Sequence, residues 1–186
     1  MSSFTCLNYH LVFSTKHREP LIGHAWQQRL FDYIGGIIRR QGGVLLAAGC
    51  MPDHVHLLAA ISKSAAITDA LRDIKANSSK WVHEEIPGQK GFAWQAGYGA
   101  FTVSYSALDS VRHYLAGQQE HHRVRTFQEE FLELLRRHEV AFDGTCGIDR
   151  EGCRPFRALC ISPLGFQGLA PLANDTCPFG AEAPLR

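Results

Sequence analysis

The chain has 186 residues, of which 45% are hydrophobic, and its 19 Lys or Arg against 18 Asp or Glu leave a formal charge of +1. That balance suits one globular domain with its own core and a short appendage; it excludes a uniformly basic protein and leaves room only for a local cationic groove. No apolar run approaches the roughly 20 residues of a membrane span, and "MSSFTCLNYH" lacks the charged start and long apolar centre of a secretion signal, so the expected location is cytoplasmic.

Residues 5–15, "TCLNYHLVFST", place Leu7, Tyr9, Leu11 and Phe13 at alternate positions and predict a first strand. In "AWQQRLFDYIGGIIRRQGG", Trp26, Leu30, Tyr33, Ile34, Ile37 and Ile38 follow helical spacing, and Gly42-Gly43 end the helix. Gly35-Gly36 in its middle costs roughly 1 kcal/mol per residue and reads as close packing on a sheet. "VLLAAGCMPDHVHLLAAI" predicts two strands of a hairpin around Met51-Pro52-Asp53. From Ala65 to Glu85, Ile67, Leu71, Ile74, Trp81 and Val82 form an apolar helical stripe, and Pro87-Gly88 closes that helix. "FAWQAGYGAFTVSY" reads as a strand broken by glycines. Ser106, with Asp109 three residues on, predicts a helix N-cap and a helix running to about Gln119. Thr126 and Glu129 have capping-box spacing and open a last helix with Phe127, Phe131, Leu134 and Leu135 on one side.

This order predicts an α+β fold: a ferredoxin-like (RRM-like) antiparallel sheet with helices packed on it and the histidine strand central. From about Gly144 the sequence becomes rich in Gly, Pro and Cys without a sustained period. The division expected is therefore a domain over 1–143 and a disordered tail over 144–186. The six cysteines include no C-x-x-C pair, and reduced thiols are expected.

Within "MPDHVHLL", His54 and His56 share one face of a strand while Val55 and Leu57 take the other, and two imidazoles side by side can hold one metal ion. A lone H-x-H is usually structural, so a third ligand and a reacting group are needed. "VRHYLAGQQEHH" offers both, because Tyr114 and Gln118 are four apart on one helical face. A tyrosine hydroxyl can act as a nucleophile, and a glutamine carbonyl oxygen suits a hard divalent cation. His121 and His122, adjacent on a helix, diverge by about 100° and are not expected to face one site together.

"YHLVFSTKHR", "MPDHVHLL", "WQAGYGAFTVS" and "YLAGQQEHHRVRTFQEEF", in this order, resemble the single-tyrosine HUH transposases of the insertion sequence 200/605 superfamily over about residues 5–143. The resemblance implies a metal-assisted enzyme that cleaves and rejoins single-stranded DNA at the ends of a mobile element, recognising hairpins near those ends. It implies Tyr114 as the nucleophile of a 5′-phosphotyrosine intermediate, with His54, His56 and Gln118 as ligands of Mg2+ or Mn2+. It also implies a homodimer, in which the tyrosine helix of one subunit can complete the other's site.

Lys16, Arg18, Arg72, Lys75 and Lys80 are candidate phosphate contacts. Among Trp94, Tyr98 and Phe101, Tyr98 between two glycines is the expected base-stacking residue, and Phe101 is expected in the core. Two rivals carry less. A histidine-triad hydrolase would need a third histidine where Leu58 stands, and a domesticated hairpin DNA- or RNA-binding module would not need the intact set of presumed active groups.

Overall fold

In the computed structural model, which describes residues 4–142, β1 (Asn8–Ser14), β2 (Val44–Met51), β3 (His54–Ala60) and β4 (Gly99–Val103) form one antiparallel sheet of order β2-β3-β1-β4. The two-residue turn Pro52-Asp53 makes β2 and β3 neighbours, and β3 then fills the gap between β1 and β2. The histidine strand is therefore central, with Val12 opposite His56 and Ser14 opposite His54 on one side, and Gly49 and Met51 opposite the same residues on the other.

Strand alternation sorts the side chains into two layers. Leu11, Phe13, Val55, Leu57 and Ala59 join the main core with α1 (Gln27–Arg40) and α2 (Ile67–Glu85). On the opposite face Leu58 packs on α3 (Leu108–Ala116), and Val12 packs on α5 (Phe127–Arg137), with α4 (Gln118–His121) between them in sequence. Coverage on both faces is why the polar residues His10, His54 and His56 are 4%, 1% and 0% exposed. Burying imidazoles in this way is costly unless each finds a partner.

The helices differ from the sequence expectation in three places. Of the glycine pair in α1, a Cβ on Gly35 would meet Leu45 at 3.5 Å but one on Gly36 would meet nothing, so only Gly35 faces the sheet. Ser106 does not cap a helix: its hydroxyl bonds that of Ser104 at 3.1 Å, a 3-10 turn over Tyr105–Ala107 leads in, and Asp109 pairs with Arg112. The helix expected to reach about Gln119 breaks at Gly117 and restarts as α4. The capping box at Thr126 and Glu129 is present in full. The tail expected over 144–186 lies outside the described residues, and among those described no helix is long and apolar enough to cross a membrane.

Candidate active site

β3 presents His54 and His56 on the sheet face beneath α3, α4 and α5, their ring centroids 5.1 Å apart. The residue after α4 supplies His122, and the first turn of α5 supplies Glu130. One side-chain nitrogen or oxygen from each of these four residues lies within 4.8 Å of the others, so the group could hold a metal ion. The Glu130 Oε2 atom stands 3.0 Å from His122 Nε2, 3.3 Å from His56 Nε2 and 3.8 Å from His54 Nε2. Nitrogen and oxygen atoms this close to one another could share a single ion.

The second nitrogen of every ring is already engaged. His54 Nδ1 meets Asp53 Oδ1 at 2.7 Å, His56 Nδ1 meets His10 Nε2 at 2.9 Å, and His122 Nδ1 donates to the Arg125 carbonyl at 3.1 Å. Such outer contacts fix the tautomer and turn Nε2 inward, as they do around metal-bound histidines. Arg18 braces Asp53 from outside at 3.5 Å, and its guanidinium lies over the Phe127 ring. Burial would raise the Asp53 carboxyl, but the His54 hydrogen bond and charge, with Arg18, hold it below its ordinary value.

Inside the cluster several buried polar atoms lack a hydrogen-bond partner. His56 Nε2, Glu130 Oε2 and Gln118 Oε1 are buried without a hydrogen bond among the described residues, and His54 Nε2 faces His122 Nε2 at 3.1 Å. Burial and the neighbouring His54, His122 and His121 push His56 well below its usual pKa, and burial with nearby His56 and His138 takes His10 down to about 3. The Nε2 atoms of His54, His56 and His122 thus converge on Glu130 Oε2. A divalent cation fits this donor set.

Burial pushes Glu130 up to about 7 against the pull of His54. Its other oxygen, Oε1, accepts a hydrogen bond from the Tyr114 hydroxyl and another from Gln118 Nε2 at 3.1 Å. Tyr114 stands edge-on to both His10 and His56, with ring centroids 5.9 and 6.0 Å away. Gly49 lets α3 come this close, since a Cβ there would lie 2.6 Å from the Leu115 carbonyl oxygen and 3.1 Å from Gln118. Tyr114, Gln118 and the histidine pair therefore meet within a single chain, with Glu130 as the common partner.

The other sequence candidates are placed apart from this cluster, except Arg18. Lys75 and Lys80 lie on α2, against the opposite face of the sheet. Lys75 donates to the carbonyls of Gln95, Ala96 and Gly97, Lys80 pairs with Glu84, and the exposed Arg72 pairs with Asp69. The Tyr98 hydroxyl bonds Thr68 at 3.2 Å, Trp94 is buried with Nε1 on Ser78, and Phe101 is in the core, while Lys16 is exposed.

Three residues of the cluster were not among the sequence candidates. His121 and His122 diverge as the helical geometry predicts, yet His122 still turns into the site. Glu130 follows the capping Glu129 and looks like a second acid of a helix start. His10 lies on the polar face of β1, where the alternation that identified the strand already placed it.

Residues 3–118 match the family model described as "Transposase IS200 like". The chain is 28% identical over 119 residues to ISDra2 transposase TnpA of Deinococcus radiodurans, covering 61% of this chain and 85% of that protein. A crystal structure of a D. radiodurans R1 protein described as a transposase superposes with a TM-score of 0.51 at 27% identity, over 63% of this chain and 95% of the other. A REP-associated tyrosine transposase bound to a REP hairpin shares the fold, with a TM-score of 0.50 at 16% identity over 66% of this chain and 74% of that one.

Proposed function

The chain belongs to the IS200-like transposase family, and from that membership we propose that it cleaves and rejoins single-stranded DNA at the ends of a small insertion sequence, with Tyr114 as nucleophile. The observation that carries the proposal is the meeting of the Tyr114 hydroxyl and the three histidines at the two oxygens of Glu130.

His54, His56, His122 and Glu130 would hold the metal, with the Gln118 carbonyl oxygen close by. When bound, a divalent ion neutralises and orients the non-bridging oxygens of the phosphate under attack. Three imidazoles and one carboxylate favour Mn2+ over Mg2+ on ligand preference.

Glu130 Oε1 holds the Tyr114 hydroxyl in place and takes its proton as the phenol oxygen bonds to phosphorus. The bond from phosphorus to the 3′ oxygen breaks and that oxygen takes up a proton from solvent, leaving a 5′-phosphotyrosine and a 3′-OH. Attack by the 3′-OH of another strand reverses the exchange and frees Tyr114, so no nucleotide triphosphate is consumed. His10, neutral and stacked on His56, keeps the inner face of the tyrosine dry and fixed.

The partner proposed is DNA carrying hairpins near the cleaved ends, bound by a homodimer. The meeting of Tyr114 with Glu130 and His56 inside one chain supports assembly of the site in cis.

The test is to incubate the protein with labelled single-stranded DNA bearing its own element's ends, with Mn2+, Mg2+ or EDTA, and to resolve the products on a denaturing gel. A metal-dependent covalent band that Tyr114→Phe and His54→Ala abolish is the expected result. Tight hairpin binding without cleavage in either metal would replace the enzyme by a binding module.

A further inference from the structure

A cavity of about 600 Å3 opens beside Tyr114, between β4, α3 and α5. Its volume falls within the roughly 300–1,000 Å3 typical of small-molecule sites. The walls combine apolar surface from Val103, Val111 and Leu134 with the hydroxyls of Thr102, Ser104 and Ser110. Such a lining suits a flat ring with hydrogen-bonding edges. Tyr114 and Glu130 form its inner end, so whatever fills it is adjacent to the proposed nucleophile.

On the other side of the histidine cluster a second cavity, of about 370 Å3, is bordered by Arg18, His54, His122 and Arg123. Arg125 borders both cavities. Arg123 pairs with Glu120 and Arg18 with Asp53, whereas the Arg125 guanidinium has no salt-bridge partner among the described residues. A cation at the crossing between two cavities, directly outside the reactive groups, is placed for the phosphate of a chain that runs from one to the other.

We infer that the cavity beside Tyr114 binds one nucleotide of the single strand next to the scissile phosphate, its base between α3 and α5 and a phosphate on Arg125. The inference rests on the DNA-cleaving reading of the site and adds to it a pocket that grips the strand on one side of the break.

The probe is thymidine 3′,5′-bisphosphate, titrated into the isotopically labelled full chain while amide NMR signals are followed. Saturable shifts are expected at Thr102, Ser104, Ser110 and Arg125. Ser110→Trp, an exposed helix position whose new ring would fill the cavity, should abolish them and weaken binding of an oligothymidylate of about twelve nucleotides by ~10-fold or more. Arg125→Ala should weaken the same oligonucleotide and flatten its salt dependence by about one phosphate contact. Ser64→Trp, an exposed control on another surface, should change neither.

Shifts elsewhere or none, or Ser110→Trp binding both probes like the parent, would overturn the pocket. The covalent-adduct gel separates the two claims. Adduct formation that ignores Ser110→Trp removes the pocket and keeps the enzyme, whereas pocket-dependent binding without any adduct keeps the pocket and removes the enzyme.

Discussion

At the scale of single residues, Glu130 joins two sets of groups that the sequence suggested separately. One oxygen serves Tyr114 and Gln118 and the other serves the histidines. Glu130→Gln keeps the shape but removes the charge and one acceptor, so adduct formation should fall at least ~100-fold while the thermal midpoint stays near the parent's. Retention of full activity would remove Glu130 from the site. Cys50 offers a check on burial away from the chemistry. Burial pushes its thiol up to about 11, and it donates to Gln27 Oε1 at 3.3 Å. A folded pKa above the unfolded 9.0 means that stability from this thiol is present below pH 9 and lost as pH climbs through 11. At pH 8 only about one thiol in a thousand is ionised. Iodoacetamide at that pH should therefore label the exposed Cys6 and spare Cys50, as read by peptide mass spectrometry. His54 and His56 were legible because strand alternation needs no tertiary information. Glu130 was not, because two adjacent acids at a helix start look alike until packing selects which one turns inward.

At the scale of elements, the site depends on how closely α3 lies on β2 and on how firmly α5 starts. Gly49 sits opposite His56 with no room for a Cβ beneath Leu115. Gly49→Ala should cost about 1–3 kcal/mol in urea denaturation and slow adduct formation by moving Tyr114. Thr126→Ala removes the capping box at the end of α5 that carries Glu130 and should cost about 1 kcal/mol. The hairpin and the capping box were legible because each is a local pattern whose hydrogen bonds close within a few residues. The break at Gly117 and the 3-10 entry at Tyr105–Ala107 were not, since both depend on how the segment meets the sheet. Helical phase across Gly117 nevertheless served its purpose: Tyr114 and Gln118 still reach the same carboxylate.

At the scale of the whole molecule, a sheet covered on both faces separates stability from chemistry. The α1 and α2 layer holds the main core, and the α3 to α5 layer holds every group of the proposed site together with the strand face beneath it. The class and the central place of the histidine strand could be read from the sequence because each element has its own period and the short hairpin sets β2 beside β3. Contacts between His122, Glu130 and β3 could not, because they arise only when α4 and α5 fold back across the sheet. Those two residues also lie beyond residues 3–118, the stretch matched to the family, which contains His54, His56, Tyr114 and Gln118. A metal that binds this layer only in the folded state must stabilise the whole chain. Mn2+ added to EDTA-treated protein should raise stability by about 2.7 kcal/mol at a hundred times its dissociation constant, and His54→Ala should cancel the rise. No shift with any divalent ion would leave the four residues as a structural cluster. The proposed chemistry turns on a covalent bond between DNA and one tyrosine oxygen. The most direct measurement is to trap the protein on its element's single-stranded end, digest both partners and sequence the nucleotide-bearing peptide by mass spectrometry. The expected product is a nucleotide on Tyr114 through a 5′-phosphate; a nucleotide on any other residue, or cleaved DNA with none attached, would remove Tyr114 as the nucleophile.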